Sequence, residues 1–483
     1  MEYEDNINLR AEFSGPDLCC YEAHEVVEML QSGEVSPTEL IDAALKRVSQ
    51  TGPLINATPT ICEERARTSV ASLHEKEWDH PGWLGGLPIT IKDLNEVAGV
   101  RTTYGSRGFS DFIPDKSDLL VERLEARGGI VLGKTNTPEF GAGGNTFNEV
   151  FGPTLNPWDT KLNAGGSSGG AAASLATGEI WLSQGSDHGG SLRTPAAFCG
   201  VVGLRPSPGL AGGPDRENAF MIEGTQGPMA RSVKDCALFL DAMSGFDSRI
   251  AISFPGLDKP YLEAASHLPS KLRVAFSADL GGFGQVDKEM DDYLRGVMRK
   301  LEKNRVEVEE TCPDLSMLER TYHTLRGVMW ATITRSLSDE VKQFFKPTLT
   351  QNIAFGQTLS IEDIIDANLN RSIIYNNMVD LFAKYDVLAC PTVGCMPHLQ
   401  SEEWVDNVGG FKLSGYMDWL RFAFLATTAG LPAISIPVGL SSKGLPVGLQ
   451  LIGKPRGEAA LLSAARLVEL SVGGPFGPID PIC

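Results

Sequence analysis

Two short turns carry the residue types that nucleophilic chemistry needs. Gly165-Gly166-Ser167-Ser168-Gly169-Gly170 and Asp187-His188-Gly189-Gly190-Ser191 each set serine hydroxyls among glycines. Glycine admits positive φ and lets backbone approach a ligand closely. Successive N–H groups in such a turn can converge on one anionic oxygen, although either sequence also reads as a plain chain reversal. A serine hydroxyl needs a base. Of the seven histidines only His188 lies near, three residues before Ser191, and none stands in a recognisable triad context. The other available base is an amine. Lys92 ends the run Ile89-Thr90-Ile91-Lys92 in apolar company, where burial without a counter-ion lowers a lysine pKa. Asp93 follows, but neighbours on a strand point to opposite faces, so its carboxylate need not hold the Lys92 proton in place.

These groups must be positioned by regular elements. Glu22 to Gln31 has helical apolar spacing and stops at Gly33, and Ser36-Pro37-Thr38-Glu39 is a capping box that launches a helix to about Ser49. A third helical pattern covers Glu63 to Glu75. From Gly82 the character changes: LPITIKD is a strand, Ser117 to Arg127 a helix ended by two glycines, and IVLG a strand. The alternation continues through KLRVAFS, a helix from about Val286 to Lys303, YDVLACPTV, AISIPVG and VGLQLIG, which predicts α/β layering. Between Gly141 and Gly213, 17 of the 73 residues are glycine. From Leu162 to Leu204 only Glu179, Asp187, His188 and Arg193 are charged or imidazole-bearing. Flexible linkers are solvated and poor in Ile, Leu, Val and Trp; GEIWLSQGSD and CGVVGLR are not, so this stretch reads as buried, tightly turning backbone.

Composition excludes several functions. At 483 residues, 42% hydrophobic and 21% charged, the chain is neither disordered nor a coiled coil. Its net charge of −19 repels phosphate backbones, so nucleic acid is not an expected partner. Nine cysteines without CxxC spacing indicate neither zinc nor a disulfide framework and fit reduced thiols in a cytoplasmic protein. The opening MEYED is acidic where a secretory signal is basic. Pro432 and Pro437 break the longest uncharged stretch, Phe422 to Ser442, which reads as helix–turn–strand and not as a membrane span.

The run GGSSGGAAASLATG, followed by GSDHGGSLRTPAAFCGVVGLRPS, resembles the signature of the amidase signature enzymes. LGGLPITIKDL, VLGKTNTPEFG, FGPTLNPWD, DVLACPTV, GLPAISIPVG and GLPVGLQLIG resemble other parts of the family, so the similarity runs from about Glu25 to Leu467. The resemblance implies a Ser–cisSer–Lys triad: Ser191 as nucleophile, Ser167 as the bridging serine with a cis peptide, and Lys92 as the base. Their separations are 191 − 167 = 24 and 167 − 92 = 75. It further implies an oxyanion turn from the amides of His188, Gly189, Gly190 and Ser191, supporting roles for Ser168, Asp187 and Arg193, and an acyl pocket at Gly141, where glycine leaves room for a bulky acid. The implied fold is one large α/β/α domain with a mixed sheet of roughly eleven strands flanked by helices. An N-terminal helical arm (1–80) packs on the signature domain (81–475, core signature about 160–210).

The implied activity is amidohydrolysis of a carboxamide, anilide, small ester or carbamate, with no metal or organic cofactor, no membrane, and a homodimer by family habit. Two departures stand out. His188 occupies a position that is commonly apolar or small in the family. The branch serving as the glutaminase component of a tRNA-dependent amidotransferase holds glutamine with an arginine and an aspartate; here Arg371 fits the first, but Leu420 falls at the second, with Asp418 two residues away. Two rivals fare worse. An α/β-hydrolase needs a hydrophobic strand running into the serine of Gly165-x-Ser167-x-Gly169, and NPWDTKLNAGG is polar. A non-catalytic phosphate-binding module would need GKS or GKT.

Overall fold

The computed structural model describes residues 12–75, 78–213, 218–257 and 259–483. The acidic N-terminal pentapeptide lies outside them. Eleven strands form the central sheet: β1 (Thr60–Ile61), β2 (Pro88–Lys92), β3 (Ile130–Thr135), β4 (Leu182–Asp187), β5 (Val202–Arg205), β6 (Thr225–Ala230), β7 (Leu272–Phe276), β8 (Val306–Glu310), β9 (Val387–Pro391), β10 (Ala433–Leu440) and β11 (Pro446–Ile452). Their order across the sheet is β1-β3-β2-β4-β6-β5-β10-β11-β9-β7-β8. β2 runs parallel to both β3 and β4, β7 parallel to β8 and β9, and the other pairs are antiparallel. The sheet is therefore mixed, as the resemblance implied.

Central strands are apolar at every position because helices cover both faces. Successive side chains feed separate cores. Val274, Val387, Ala389, Ile434, Ile436, Leu449 and Leu451 enter a core with Val26, Leu40, Leu238 and Leu461. Their neighbours Ala275, Leu388, Cys390, Ala433 and Ile452 enter a second core with Phe198, Phe422, Phe424 and Leu425. At one edge β8 reads VEVEE, and this charge discourages pairing with another chain.

The Ser36 capping box is formed, with Ser36 Oγ accepting from Glu39 N–H and the Glu39 carboxylate accepting from Ser36 N–H. The helix continues to Ile55, past the expected stop at Ser49, because Thr51 and Ile55 extend its buried face. The third helix ends earlier than its pattern suggested, at Val70, before a short 3-10 turn Leu73–Glu75. The first 80 residues also contribute β1, a two-residue edge strand paired Thr60↔Lys134, which the helical reading did not anticipate. The Phe422–Ser442 passage does form helix (Phe424–Ala429), left-handed Gly430 and strand β10. Among the described residues no helix is long and apolar enough to cross a membrane.

Candidate active site

β2 and β4 are parallel neighbours, so both present their carboxyl ends to the same rim, where sites in α/β sheets gather. β2 delivers Lys92, which is fully buried. Its Nζ–H groups donate to Ser167 Oγ (2.7 Å), Ser168 Oγ (2.9 Å) and Ser186 Oγ (3.1 Å). Asp93 turns to the opposite face, accepting from Lys134 Nζ at 3.0 Å and from the Thr103 hydroxyl and amide. Lys92 thus has three hydroxyls and no ion pair among the described residues. Burial pushes its pKa down to about 7, against the pull of the Asp187 charge. A neutral amine offers two N–H groups and one lone pair, so the three hydroxyls satisfy either protonation state.

The glycine-rich stretch is buried almost throughout. The Gly166–Ser167 peptide is cis. Gly165 has φ +75°, and a Cβ there would lie 2.7 Å from Pro195 Cα, so only glycine fits. Asn163 Oδ1 accepts from Gly165 N–H, and Thr146 Oγ1 donates to Gly165 O and accepts from Gly169 N–H. The strand preceding this loop, Asp159–Asn163, pairs with Leu155–Asn156 in a separate ribbon. Among the described residues no central strand runs into Ser167, so the α/β-hydrolase elbow is absent.

β4 ends at Asp187, which organises the second turn. Its carboxylate accepts from Gly190 N–H (3.1 Å), Leu192 N–H (3.0 Å) and Arg193 (3.0 and 2.8 Å), and Arg205 lies 3.4 Å away. Burial alone would raise its pKa, but the two guanidinium charges and the Leu192 amide outweigh it and hold the carboxyl well below the usual range. Arg193 also donates to Gln450 Oε1 at 2.5 Å. The two serine turns are tied directly, Ser168 N–H donating to Ser191 O at 3.1 Å. Of the four amides expected at the oxyanion position, that of Gly190 already serves Asp187. Those of His188, Gly189 and Ser191 make no hydrogen bond among the described residues. Gly189 is confined: a Cβ would sit 2.7 Å from Tyr322 Oη.

Ser167, Ser191, His188 and Gly189 open on one cavity of about 220 Å³. Among the described residues no hydrogen bond yet joins the Ser191 and Ser167 hydroxyls; such contacts often tighten only when substrate binds. Gly141, also on the wall, has φ +71°, and a Cβ would meet Leu94 Cδ1 at 2.8 Å and Ser167 Oγ at 3.2 Å. Its missing side chain therefore clears the bridging serine itself. His188 Nδ1 lies 3.4 Å from Arg326 Nη1, and its carbonyl accepts from Thr427 Oγ1. Burial, then the charge of Arg326, pushes the imidazole well below its ordinary pKa, so the ring is neutral.

The sequence placed Arg371 at the glutamine carboxylate position. The structure instead pairs it with Glu223 at 2.8 Å and the Thr428 carbonyl, beside a different cavity. Leu420 does line the cavity of Ser191, while Asp418 binds the 414–415 backbone and contacts Arg421. Sequence reasoning missed Ser186, the third hydroxyl on Lys92, and Arg326 on the helix Leu318–Ile333. Ser186 could have been found from strand alternation, since it precedes Asp187 on β4. Arg326 falls on an amphipathic helix, where an arginine ordinarily reads as surface.

The model of the family described as Amidase matches residues 39–462. An acylamidase of Rhodococcus erythropolis is 34% identical over 428 residues, covering 86% of this chain and 88% of that protein. The glutaminase-type component (GatA class) of the glutamyl-tRNA(Gln) amidotransferase of Halothermothrix orenii is 32% identical, covering 92% and 96%. Among solved structures, a bacterial aryl acylamidase of the amidase signature enzymes superposes with a TM-score of 0.86 at 26% identity, covering 94% of this chain and 96% of that one. With the fold, the glycine-rich turns and these matches in agreement, the chain belongs to the amidase family, the amidase signature enzymes.

Proposed function

We propose that this amidase hydrolyses a small carboxamide through an acyl-enzyme on Ser191, with Ser167 and Lys92 as its proton path. The observation that carries the reading is Lys92: a buried amine with a pKa of about 7, in contact with Ser167 and without a carboxylate to hold its proton. In its neutral form it accepts the Ser167 proton while Ser167 accepts that of Ser191, whose oxygen attacks the substrate carbonyl. The free amides of His188, Gly189 and Ser191 supply donors for the resulting oxyanion. Returning the proton along the same path protonates the leaving amine, which an amide requires. Water then cleaves the ester by the same steps. Asp187 and Arg193 act by holding the turn, and Ser168 by bridging the two serine loops.

Reduced cysteines and the absence of long apolar helices among the described residues fit a cytoplasmic enzyme acting on a diffusible amide. The kinship with the amidotransferase component favours a second reading, a glutaminase working inside a complex. Arg371 being committed to Glu223, and Leu420 facing the cavity, weigh against it. Reaction with a fluorophosphonate tests the central assignment: the adduct is expected on Ser191, and an adduct on Ser167 refutes it. A panel of amides, anilides and esters, with free glutamine as the control for the second reading, tests the chemistry. Ammonia release from glutamine alone would favour the amidotransferase role.

A further inference from the structure

The helix Leu318–Ile333 sets Arg326, Met329, Trp330 and Ile333 against the cavity of Ser191, at the three- and four-residue spacing of one helical face. Arg326 is buried, and its partners are all neutral: Nε–H donates to Asn352 Oδ1 (3.2 Å), Nη1–H to His188 Nδ1 (3.4 Å) and Nη2–H to Tyr416 Oη (2.8 Å). Among the described residues no carboxylate forms an ion pair with it. The buried guanidinium groups of Arg193 and Arg205 share Asp187, and that of Arg47 has Asp480. A guanidinium cannot shed its proton, so Arg326 is a desolvated cation without a counter-ion, facing a cavity.

Two further donors face the same space. Because Arg326 can only donate, His188 Nδ1 accepts and the ring proton sits on Nε2. His188 Nε2 and Trp330 Nε1 are both buried without a hydrogen-bond partner, and both residues line the cavity. Its one carboxylate, Asp187, is already held by the two arginines. An unpaired buried donor costs about 1–3 kcal/mol, and three such groups around one opening are satisfied together only by an acceptor-rich, negatively charged ligand.

We infer that the amide substrate carries a carboxylate, which Arg326 and the Nε2–H of His188 bind while the scissile carbonyl lies at Ser191. This rests on the reading of Ser191 as the nucleophile. With a chain charge of −19, long-range attraction cannot bring such an anion in. Recognition is therefore short-range, set by charge-assisted hydrogen bonds inside the cavity. Met329 and Ile333 supply the apolar wall for the carbon skeleton between the two polar ends.

The test compares matched substrates. Succinanilate, glutaranilate and adipanilate are set against the uncharged butyr-, pentan- and hexananilides, which place an acid on the acyl side. A second series of acetanilides with and without a ring carboxylate places it on the amine side. In at least one series the acid is expected to be cleaved with a kcat/KM roughly 10-fold or more above its neutral twin, mainly through KM. Arg326→Gln removes this preference and Arg326→Lys retains part of it. Turnover is not the sole readout, because glutarate or benzoate should protect Ser191 from the fluorophosphonate in the wild type and not in Arg326→Gln. If Ser191 is labelled and neutral anilides are cleaved, with no acid preference in either series and no protection, the carboxylate subsite is wrong while the nucleophile stands. If Ser191 is never labelled, the nucleophile assignment itself fails. Should Arg326→Gln not fold, the wild-type preference and the Arg326→Lys enzyme still decide.

Discussion

The state of the Lys92 amine sets how much of the enzyme is competent, and it can be altered from one neighbouring atom. A lysine with its ordinary pKa of about 10.4 would be neutral in about one molecule per thousand at about pH 7.5. With the pKa brought to about 7 by burial, roughly three quarters of the molecules are neutral at that pH. Ser186 Oγ lies 3.1 Å from Nζ, so Ser186→Asp puts a carboxylate beside the amine. An opposite charge at that range raises a lysine pKa by about 1–3 units, to between about 8 and 10. The neutral fraction at about pH 7.5 then falls roughly 3- to 200-fold, and kcat/KM falls with it. The assay is the pH–rate profile of both enzymes from about pH 5 to 10, on whichever anilide the wild type cleaves. Wild-type activity rises as one proton leaves with an apparent pKa near 7, and the variant's rise is displaced upward and recovers at high pH. Recovery separates a titration effect from structural damage. An unshifted profile, or a loss that persists at every pH, would refute Lys92 as the base.

Three further outcomes are expected. Lys92→Met abolishes turnover yet gains stability towards neutral pH. The depressed lysine pKa costs the fold nothing above about 10.5 and most below about 7, up to about 5 kcal/mol, offset in the variant by about 1 kcal/mol for each lost hydroxyl contact; thermal melts across that range read the difference, and an unchanged gap counts against the shift. Glu179, buried and accepting from Thr51 and Thr58, has its pKa raised by burial to about 7, so the stability it gives below about 4.5 is lost as pH rises through about 7. Glu179→Gln should therefore melt progressively higher than wild type over that interval, by about 3 kcal/mol in full, and a pH-independent gap would contradict the raised value. His188→Leu retains the acyl-enzyme and the inflection near 7, because the imidazole is already neutral there, but it loses affinity for acid-bearing amides; disappearance of that inflection would assign it to histidine.

What the sequence disclosed depended on how local the signal was. Lys92 and Asp93 were separable because strand alternation sends them apart, and Asp93 indeed pairs with Lys134 on the far side. The two glycine turns stood out because positive φ and close backbone contacts leave glycine little substitute, as at Gly165 against Pro195. The Ser36 helix start was legible from its capping box, but its end was not, since Thr51 and Ile55 are buried by distant parts of the chain. β1 is two residues long and exists only because β3 offers an edge, so no periodicity could announce it. Gly190 illustrates a finer limit: its amide was grouped with its neighbours, yet the Asp187 carboxylate takes it. Arg326 was invisible because its role depends on which carboxylates are missing around it, a property of three-dimensional packing and not of spacing.

The hydrogen bond from Ser168 N–H to Ser191 O locks the two serine loops into a single block that also includes Asp187 and its arginines. The facing wall, with Arg326, Met329 and Trp330, hangs on a helix that contributes nothing to that block's internal bonding. The enzyme is thus built like a vice with one fixed jaw and one exchangeable jaw. Swapping residues on the second rewrites which molecules are gripped, without retooling the machinery that breaks the bond.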